Sequence, residues 1–135
     1  MNPLNTTQEL IDDIRQGKMV IIMDDEDREN EGDLVMAAEC ITPEAVNFMI
    51  THARGLVCMP TSAELCAKLG FPVMVPGNRG PIVPKFTFSI EAAVGVTTGV
   101  SAFDRALTIK VATHPDAKST DFVMPGHVFP IQAEP

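Results

Sequence analysis

Positively charged residues are scarce in this chain of 135 residues. Lysine and arginine number 10 against 18 aspartates and glutamates, which gives a net charge of −8. No basic stripe exists that could release counterions from phosphate groups, so the composition argues against non-specific binding to nucleic acid or anionic lipid. Any phosphate group must therefore be bound by a few local residues.

Cysteines and long apolar runs are also few. Cys40, Cys58 and Cys66 form no C-x-x-C pair, so neither a disulfide framework nor a zinc ribbon is indicated. The first residues lack the pattern of a signal peptide, and no apolar run reaches the length of a membrane span. We therefore expect no membrane partner and a location in the reducing cytoplasm. The 45% hydrophobic content supports one globular domain over residues 1–135.

Acidic residues concentrate in one stretch, residues 23–33. This stretch holds seven carboxylates and one arginine, Arg28, between the apolar runs 19–22 and 34–37. Because Asp, Asn and Gly disfavour a helix and the flanking runs favour strands, a loop between two strands is predicted. The loop could be a solvated turn, or it could hold a divalent cation and a substrate rich in hydroxyl groups. An EF-hand is excluded, because its twelfth position would be Ala38 instead of glutamate.

The rest of the chain alternates helix and strand signals. Capping residues and apolar spacing predict helices at 7–16 and 43–54 and a helix that starts at Ser101. A further helix is predicted from Thr61, which would form a capping box with Glu64, to Gly70. Strands are predicted at 19–22, 34–40, 56–59, 86–91 and 127–131, the fourth with its phenylalanines facing inward. Segment 75–85 is rich in Pro and Gly and predicts an irregular, lid-like loop, and residues 113–122 predict a polar connection.

Several residues have two interpretations on sequence grounds. The turn Thr97-Thr98-Gly99 before a helix could present backbone N–H groups to a phosphate, or it could be part of a well-capped helix start. A cysteine near the end of a strand, such as Cys58, is usually a small buried hydrophobe. We expect His52 to lie on an inward helix face with Ala45, Phe48 and Met49, without a chemical role.

Four stretches together carry a resemblance to a known family. They are DEDRENEGD at 25–33, HARGLVC at 52–58, GVTTGVSAFDRA at 95–106 and PGHVFP at 125–130. In this order they resemble 3,4-dihydroxy-2-butanone 4-phosphate synthase, the lyase of riboflavin biosynthesis that converts ribulose 5-phosphate to a four-carbon phosphate and formate. The resemblance extends over essentially the whole chain and implies an α+β fold, a layered sandwich of a mixed sheet with helices.

The resemblance also implies roles for individual residues. Glu29 would bind Mg²⁺ or Mn²⁺, His127 would be essential for catalysis, and Glu31 would share in proton transfer. Glu26 and Asp27 would lie around the metal or assist that transfer. A homodimer is expected, because family members place their sites at a subunit interface. The residues that would contact the sugar phosphate substrate are Arg28, Glu29, Asp33, Cys58 and Thr98.

The sequence departs from the family pattern in two places. Residues 79–81 and 84–85 replace the small hydroxylated residues of the substrate loop. The 135 residues also contain no Gly-His-Thr-Glu motif, which in the family supplies the second metal ligand and the phosphate contacts, and no counterpart of a later catalytic glutamate. We expect the chain to be the N-terminal part, or a shortened form, of the synthase. The alternative is a non-catalytic module of the same fold that acts in assembly or ligand binding.

Overall fold

Helices and a mixed sheet alternate along the chain in the computed structural model, which describes residues 3–77 and 83–135. The α-helices are α1 Thr7–Arg15, α2 Pro43–Phe48, α3 Ala63–Leu69 and α4 Ala102–Thr113. The strands are β1 Val20–Met23, β2 Gly32–Val35, β3 Cys58–Thr61, β4 Lys85–Phe86, β5 Ile90–Ala92 and β6 Phe122–Gln132. Short 3₁₀ turns cover Ala38–Cys40 and Ser119–Asp121, and a π-helical segment covers Met49–Ala53. The expected α+β fold is confirmed.

Strand β6 is the centre of the main sheet. It pairs with β3 in parallel and with β4 and β5 in antiparallel orientation. Strands β1 and β2 form a separate antiparallel hairpin, with Val20 opposite Val35 and Met23 opposite Gly32. The hairpin confirms the prediction that the acidic stretch joins two strands.

The core lies where α2, α3 and α4 pack against the sheet. Its most deeply buried apolar side chains are Val46, Leu69, Ile90 and Val128. Burying a side chain of this size contributes about 1.5–3 kcal/mol. Phe71 and Phe122 add an edge-to-face pair with ring centroids 5.1 Å apart. In the described part of the chain, no helix has the length and apolar character needed to cross a membrane.

Helix starts agree well with the capping signals. Glu9 N–H donates to Thr6 Oγ1 at 3.2 Å while Thr6 N–H donates to Glu9 Oε2 at 2.6 Å, which forms the predicted capping box. Thr42 caps α2 and Ser101 caps α4, also as predicted. The prediction for α3 was wrong by one residue. Its cap is Ser62, because Thr61 remains in β3 and its hydroxyl donates to Met59 O.

Four of the expected strands are present with different bounds. The strand expected at 34–40 ends at Val35 and is followed by a 3₁₀ turn. The third strand is Cys58–Thr61 instead of 56–59, and the last strand is Phe122–Gln132 instead of 127–131. The strand expected at 86–91 is divided into β4 and β5, with Thr87 fully buried and Phe88 45% exposed. Thr87 can be buried because its hydroxyl lies within hydrogen-bond distance of the carbonyl oxygens of Phe88 and Pro130, which offsets the cost of burying a polar group.

The inward face expected for the second helix holds for Ala45, which packs against the core, but was wrong for Phe48 and His52. Val46 is the fully buried residue of α2, whereas Phe48 is 47% exposed and stacks on exposed His52. The chain continues after α2 in a π-helical segment, whose Arg54 N–H donates to Met49 O five residues back. This bonding breaks the 3.6-residue period on which the expectation rested. Of the predicted lid 75–85, residues 78–82 lie outside the described ranges.

A buried carboxylate organises the turn before α4. Asp104, 2% exposed, accepts hydrogen bonds through Oδ2 from Thr97 Oγ1 at 2.7 Å, Gly99 N at 2.9 Å and Thr97 N at 3.1 Å. Its own N–H donates to Ser101 Oγ at 3.0 Å. The Thr97 hydroxyl, followed by the Gly99 and Thr97 N–H groups, lowers the pKa of Asp104 despite its burial.

The lowered pKa of Asp104 predicts how acid acts on the fold. A carboxylate with a depressed folded-state pKa stabilises the protein above the unfolded value of about 3.9, and this stabilisation disappears as the pH falls through the folded-state value. Asp104→Asn should therefore be less stable than the wild type at neutral pH, and the difference should shrink on acidification below about pH 4. Thermal unfolding measured across pH checks this, with Asp116→Asn, at an exposed aspartate after α4, as the matched control. A difference between Asp104→Asn and wild type that does not change with pH would contradict it.

Candidate active site

The acidic loop between β1 and β2 is organised by Asp24. Its Oδ1 accepts from Glu31 N at 2.8 Å, and its Oδ2 accepts from Glu29 N at 2.9 Å and Arg28 Nη1 at 2.8 Å. The N–H groups of Glu31 and Glu29, with a smaller contribution from Arg28, lower the pKa of Asp24. Asp24 thus supports the loop, a role that the sequence did not single out.

The side chains of the loop face solvent. Arg28 Nη2 lies 2.8 Å from Glu29 Oε1, and both side chains are about half exposed. Glu26, Asp27, Glu31 and Asp33 are also exposed. Within residues 3–77 and 83–135, no three acidic, histidine or cysteine side chains converge into a group that could hold a metal ion. The oxygen donors suit a hard divalent cation, and Glu29 would be one ligand of such an ion.

The negative charge of Asp33 acts on the Cys58 thiol although the two residues lie in different sheets. Cys58 is an exposed residue at the start of β3, and partial removal from water, followed by the negative charge of Asp33, raises the pKa of its thiol. The fold thus brings two of the predicted substrate contacts together. A raised pKa keeps the thiol neutral, so Cys58 is suited to packing or weak hydrogen bonding with a ligand and not to nucleophilic attack.

The polar turn places Thr98 at the surface. The N–H groups of Thr97 and Gly99 both point inward to Asp104, so these two N–H groups do not meet a phosphate. Of the two interpretations of this turn, the well-capped helix start is the one that the structure shows. Thr98 lies between Thr97 and Gly99 with an exposed side chain. The turn therefore offers the Thr98 hydroxyl from a support that Asp104 holds in place.

His127 pairs with a carboxylate that the sequence did not indicate. Its Nδ1 lies 2.6 Å from Oε1 of Glu91, whose side chain is 15% exposed while that of His127 is 43% exposed. The same carboxylate packs on Gly99, where an added Cβ would lie only 1.6 Å from Glu91 Oε1. Glu91 thus joins His127 to the turn that carries Thr98.

Pairing of β3 with β6 brings Cys58 near this group. Cys58 is opposite Phe129, and His127 precedes Phe129 by two residues, a separation of roughly 7 Å along a strand. One surface of the fold therefore carries neighbouring residues of the predicted site, namely Asp33, Cys58, His127 and the turn with Thr98. Glu91 lies outside the four motifs, so its pairing with His127 was found only in the tertiary structure.

The other two histidines lie outside the predicted site. His52 stacks on Phe48 with ring centroids 4.4 Å apart. His114 follows α4, accepts a hydrogen bond from Asp116 N at Nδ1, and lines a cavity of about 520 Å³ with Lys110, Lys118 and Asp121. None of the predicted site residues lines that cavity.

Comparison with known proteins agrees with the motifs. The family model for 3,4-dihydroxy-2-butanone 4-phosphate synthase matches residues 8–135. The chain is 63% identical over 132 residues to the synthase of that name from Pseudomonas aeruginosa, covering 98% of this chain and 36% of the relative. It is 59% identical over 133 residues to the riboflavin biosynthesis protein RibBA of Aquifex aeolicus, covering 97% of this chain and 33% of the relative.

Solved structures show the same fold. A two-domain synthase from A. baumannii, RibBX, superposes with a TM-score of 0.88 at 56% identity, covering 95% of this chain and 38% of that protein. A synthase crystallised with two magnesium ions gives a TM-score of 0.92 at 40% identity, covering 97% of this chain and 61% of that one. The chain spans about a third of the length of the curated relatives that it matches. By its sequence and fold, this chain belongs to the 3,4-dihydroxy-2-butanone 4-phosphate synthase family of riboflavin biosynthesis.

Proposed function

We propose that this chain supplies part of a lyase site that converts D-ribulose 5-phosphate to 3,4-dihydroxy-2-butanone 4-phosphate and formate. The observation that carries the proposal is the match to the synthase family over residues 8–135. The arrangement of Asp33, Cys58, Thr98 and His127 along one surface supports it. The cytoplasmic location stays a prediction from the sequence.

The reaction requires proton removal beside a ketone, loss of water and rearrangement of the carbon skeleton. A half-exposed imidazole such as His127 can reach a bound substrate and move a proton at neutral pH. Glu31, exposed at the end of the acidic loop, is suited to share in proton transfer. Arg28 and Asp33 would bind the charged and hydroxyl groups of the sugar phosphate, and the Thr98 hydroxyl would add a neutral contact.

A divalent cation fits the donor chemistry of the acidic loop. Glu29 would hold Mg²⁺ or Mn²⁺. The relative that contains two magnesium ions supports the use of a divalent cation. When bound, such an ion stabilises negative charge on substrate oxygens. Before substrate arrives, Arg28 Nη2 lies 2.8 Å from Glu29 Oε1, and Asp24 Oδ2 accepts from the Glu29 backbone N–H and from Arg28 Nη1. The loop thus presents its carboxylates without depending on the ion for its shape.

Metal binding to the 135-residue chain alone should be weak. The described residues hold no group of three ligands, and Mg²⁺ ordinarily keeps several waters and relies on substrate oxygens for further contacts. Titration calorimetry with Mg²⁺ should therefore detect little heat, and Glu29→Gln should remove what remains. Glu64→Gln, an exposed change on α3, is the control for the lost charge. Tight stoichiometric binding that survives Glu29→Gln would exclude Glu29 as a ligand.

A second candidate function is that of a non-catalytic module of the same fold. It would act in assembly with a complete synthase or in ligand binding. The observation that favours it is the altered sequence of segment 79–81. A direct assay of the chain distinguishes the two functions.

The chain as given should not release formate from ribulose 5-phosphate at a useful rate. The loss of one preorganised donor costs about 10²–10³-fold in rate, and here a metal ligand, phosphate contacts and a carboxylate would be absent together. A fusion of residues 1–135 to the remaining segment of the P. aeruginosa relative should be active. In that fusion, Glu29→Gln and His127→Ala should each abolish turnover while the fold stays intact, because both residues lie at the surface.

A magnesium-dependent formate assay, with circular dichroism for the fold, measures these effects. Glu64→Gln, far from the proposed site in sequence and exposed on α3, should retain full turnover in the fusion. Robust turnover by residues 1–135 alone would overturn the expectation and would show that another residue serves as the second ligand.

The chain should also form a homodimer. Large apolar side chains are exposed on the acidic hairpin, where Ile21 is 59%, Ile22 43% and Met23 52% exposed. Exposed apolar groups that lie together favour a protein interface, and a second copy of the chain is the partner that the family resemblance implies. Sedimentation at micromolar concentration should show a dimer, and Ile21→Lys should shift it toward monomer. A stable monomer in the wild type would argue against the dimer.

A further inference from the structure

A cavity of about 520 Å³ lies at the C-terminal end of α4, among residues that the proposed function does not use. Its apolar wall consists of small side chains from the end of β5, from α4 and from the loop that follows α4, namely Ala92, Ala93, Val94, Val111 and Ala117. Small-molecule sites typically have volumes of about 300–1,000 Å³ and are mostly apolar with a few polar groups. A wall of alanine and valine side chains leaves room for a planar ring.

Hydrogen bonds hold the wall of this cavity in place. Ala93 N–H donates to Asp121 O at 2.8 Å, which joins the end of β5 to the segment before β6. Lys118 N–H donates to Asp121 Oδ2 at 3.0 Å and closes a turn in the loop after α4. Lys68 of α3 donates through Nζ to Pro115 O at 3.1 Å, so the same loop is also attached to a second helix. A cavity that is formed in advance favours binding, because little of the protein must be ordered by the ligand.

Three nitrogen-bearing side chains line this cavity. Lys110, His114 and Lys118 follow one another at intervals of four residues. Such a group is uncommon in a chain that has 10 lysines and arginines against 18 aspartates and glutamates. Asp116 and Asp121 line the cavity as well, and their charges balance those of the two lysines. A ligand with one negative charge, bound beside the lysines, is therefore favoured over a phosphate dianion.

Two of these nitrogen groups are available to a ligand. In the described part of the chain, no ion pair engages the ammonium group of Lys118. The Nδ1 atom of His114 accepts from Asp116 N–H at 3.1 Å, so the proton of the neutral ring lies on Nε2, which is left as a donor. Lys110 Nζ donates to Glu39 O at 2.6 Å and adds a fixed positive charge. An ammonium group and an imidazole N–H together can bind a carboxylate or a sulfonate.

We propose that this cavity is a second ligand site, which binds a small planar molecule with an aromatic ring and one negative charge. The ring packs against the alanine and valine wall, and the anionic group contacts Lys118 Nζ and His114 Nε2. Burial of the ring supplies affinity, and the ammonium group supplies the selectivity for an anion. Within the described ranges, none of the residues of the proposed lyase site lines the cavity, so this inference goes beyond the proposed function and does not rest on it.

The experiment titrates the ¹⁵N-labelled 135-residue chain with naphthalene sulfonate and follows the backbone amide signals by NMR. This probe is a planar aromatic ring with one negative charge. Its signal shifts should saturate and should be confined to residues 92–94 and 110–121, which surround the cavity. Naphthalene methanol has the same ring without the charge. It should bind roughly 3- to 10-fold more weakly, because it lacks the charge-assisted contact.

Two variants test the contacts separately. Lys118→Gln removes the ammonium group and should weaken naphthalene sulfonate roughly 3- to 10-fold, while the binding of naphthalene methanol stays unchanged. Ala93→Leu, at an exposed position of the cavity wall, should fill part of the cavity and weaken both probes. Lys18→Gln is the matched control for a lost positive charge, because Lys18 is exposed beside Asp13 and does not line the cavity. It should bind both probes as the wild type does.

Several results would overturn the proposal. They are shifts that do not saturate, shifts centred on the exposed apolar residues 21–23 instead of the cavity, and equal affinity for the two probes. A loss of naphthalene sulfonate binding that is equal in Lys118→Gln and Lys18→Gln would assign the effect to overall charge and would also overturn it. All three substitutions are at exposed positions, so the fold should be retained, and the amide spectrum of each variant without probe verifies this.

Discussion

Close contact between the backbones of β5 and β6 is the constraint on which the site depends. Where Gly126 passes Ile90 there is no room for a side chain, and the register of the two strands shifts at this point. The shift leaves residues 124–127 of β6 as a bulge that ends at His127. Beyond this bulge, β6 pairs with β3 and β4. The strand that completes the main sheet thus also places the imidazole. A larger residue at Gly126 would displace both the sheet and the site.

Carboxylates perform three different tasks in this acidic chain. Asp24 and Asp104 accept backbone N–H groups and hold the acidic loop and the Thr97–Gly99 turn in shape, which lowers the pKa of each. Glu91 is buried against the imidazole of His127. The exposed carboxylates of the loop, Glu29 among them, stay available to ligands. Position relative to N–H donors and water, more than residue type, separates the supporting carboxylates from the exposed ones.

The acidic hairpin is covered less than the rest of the fold. Strands β1 and β2 pair only with each other within the described ranges, and three of the four residues of β1 are exposed. A two-stranded ribbon of this kind is marginal by itself and gains stability from packing against a further surface. The proposed dimer would cover the apolar side chains beside the acidic loop.

Local signals in the sequence were sufficient for the starts of α1, α2 and α4 and for the acidic hairpin. A cap such as Thr6, Thr42 or Ser101 acts within three residues, and repulsion among neighbouring carboxylates acts within one loop, so neither depends on the rest of the fold. The alternation of apolar and polar residues at 86–91 was misleading, because the orientation of that segment depends on residues far away in the sequence. Which side of that segment faces the core depends on carbonyl partners for Thr87, one of them in β6.

The four motifs identified the family and most of the candidate residues, but they could not show how those residues meet. The sequence by itself determined which side chains are capable of the chemistry, because residue type and order are enough to recognise the family. Only the tertiary structure decided that Glu91 faces His127, since these residues are 36 positions apart and meet through the shifted register of β5 and β6. A contact of that kind depends on backbone packing at two glycines, which no local pattern encodes.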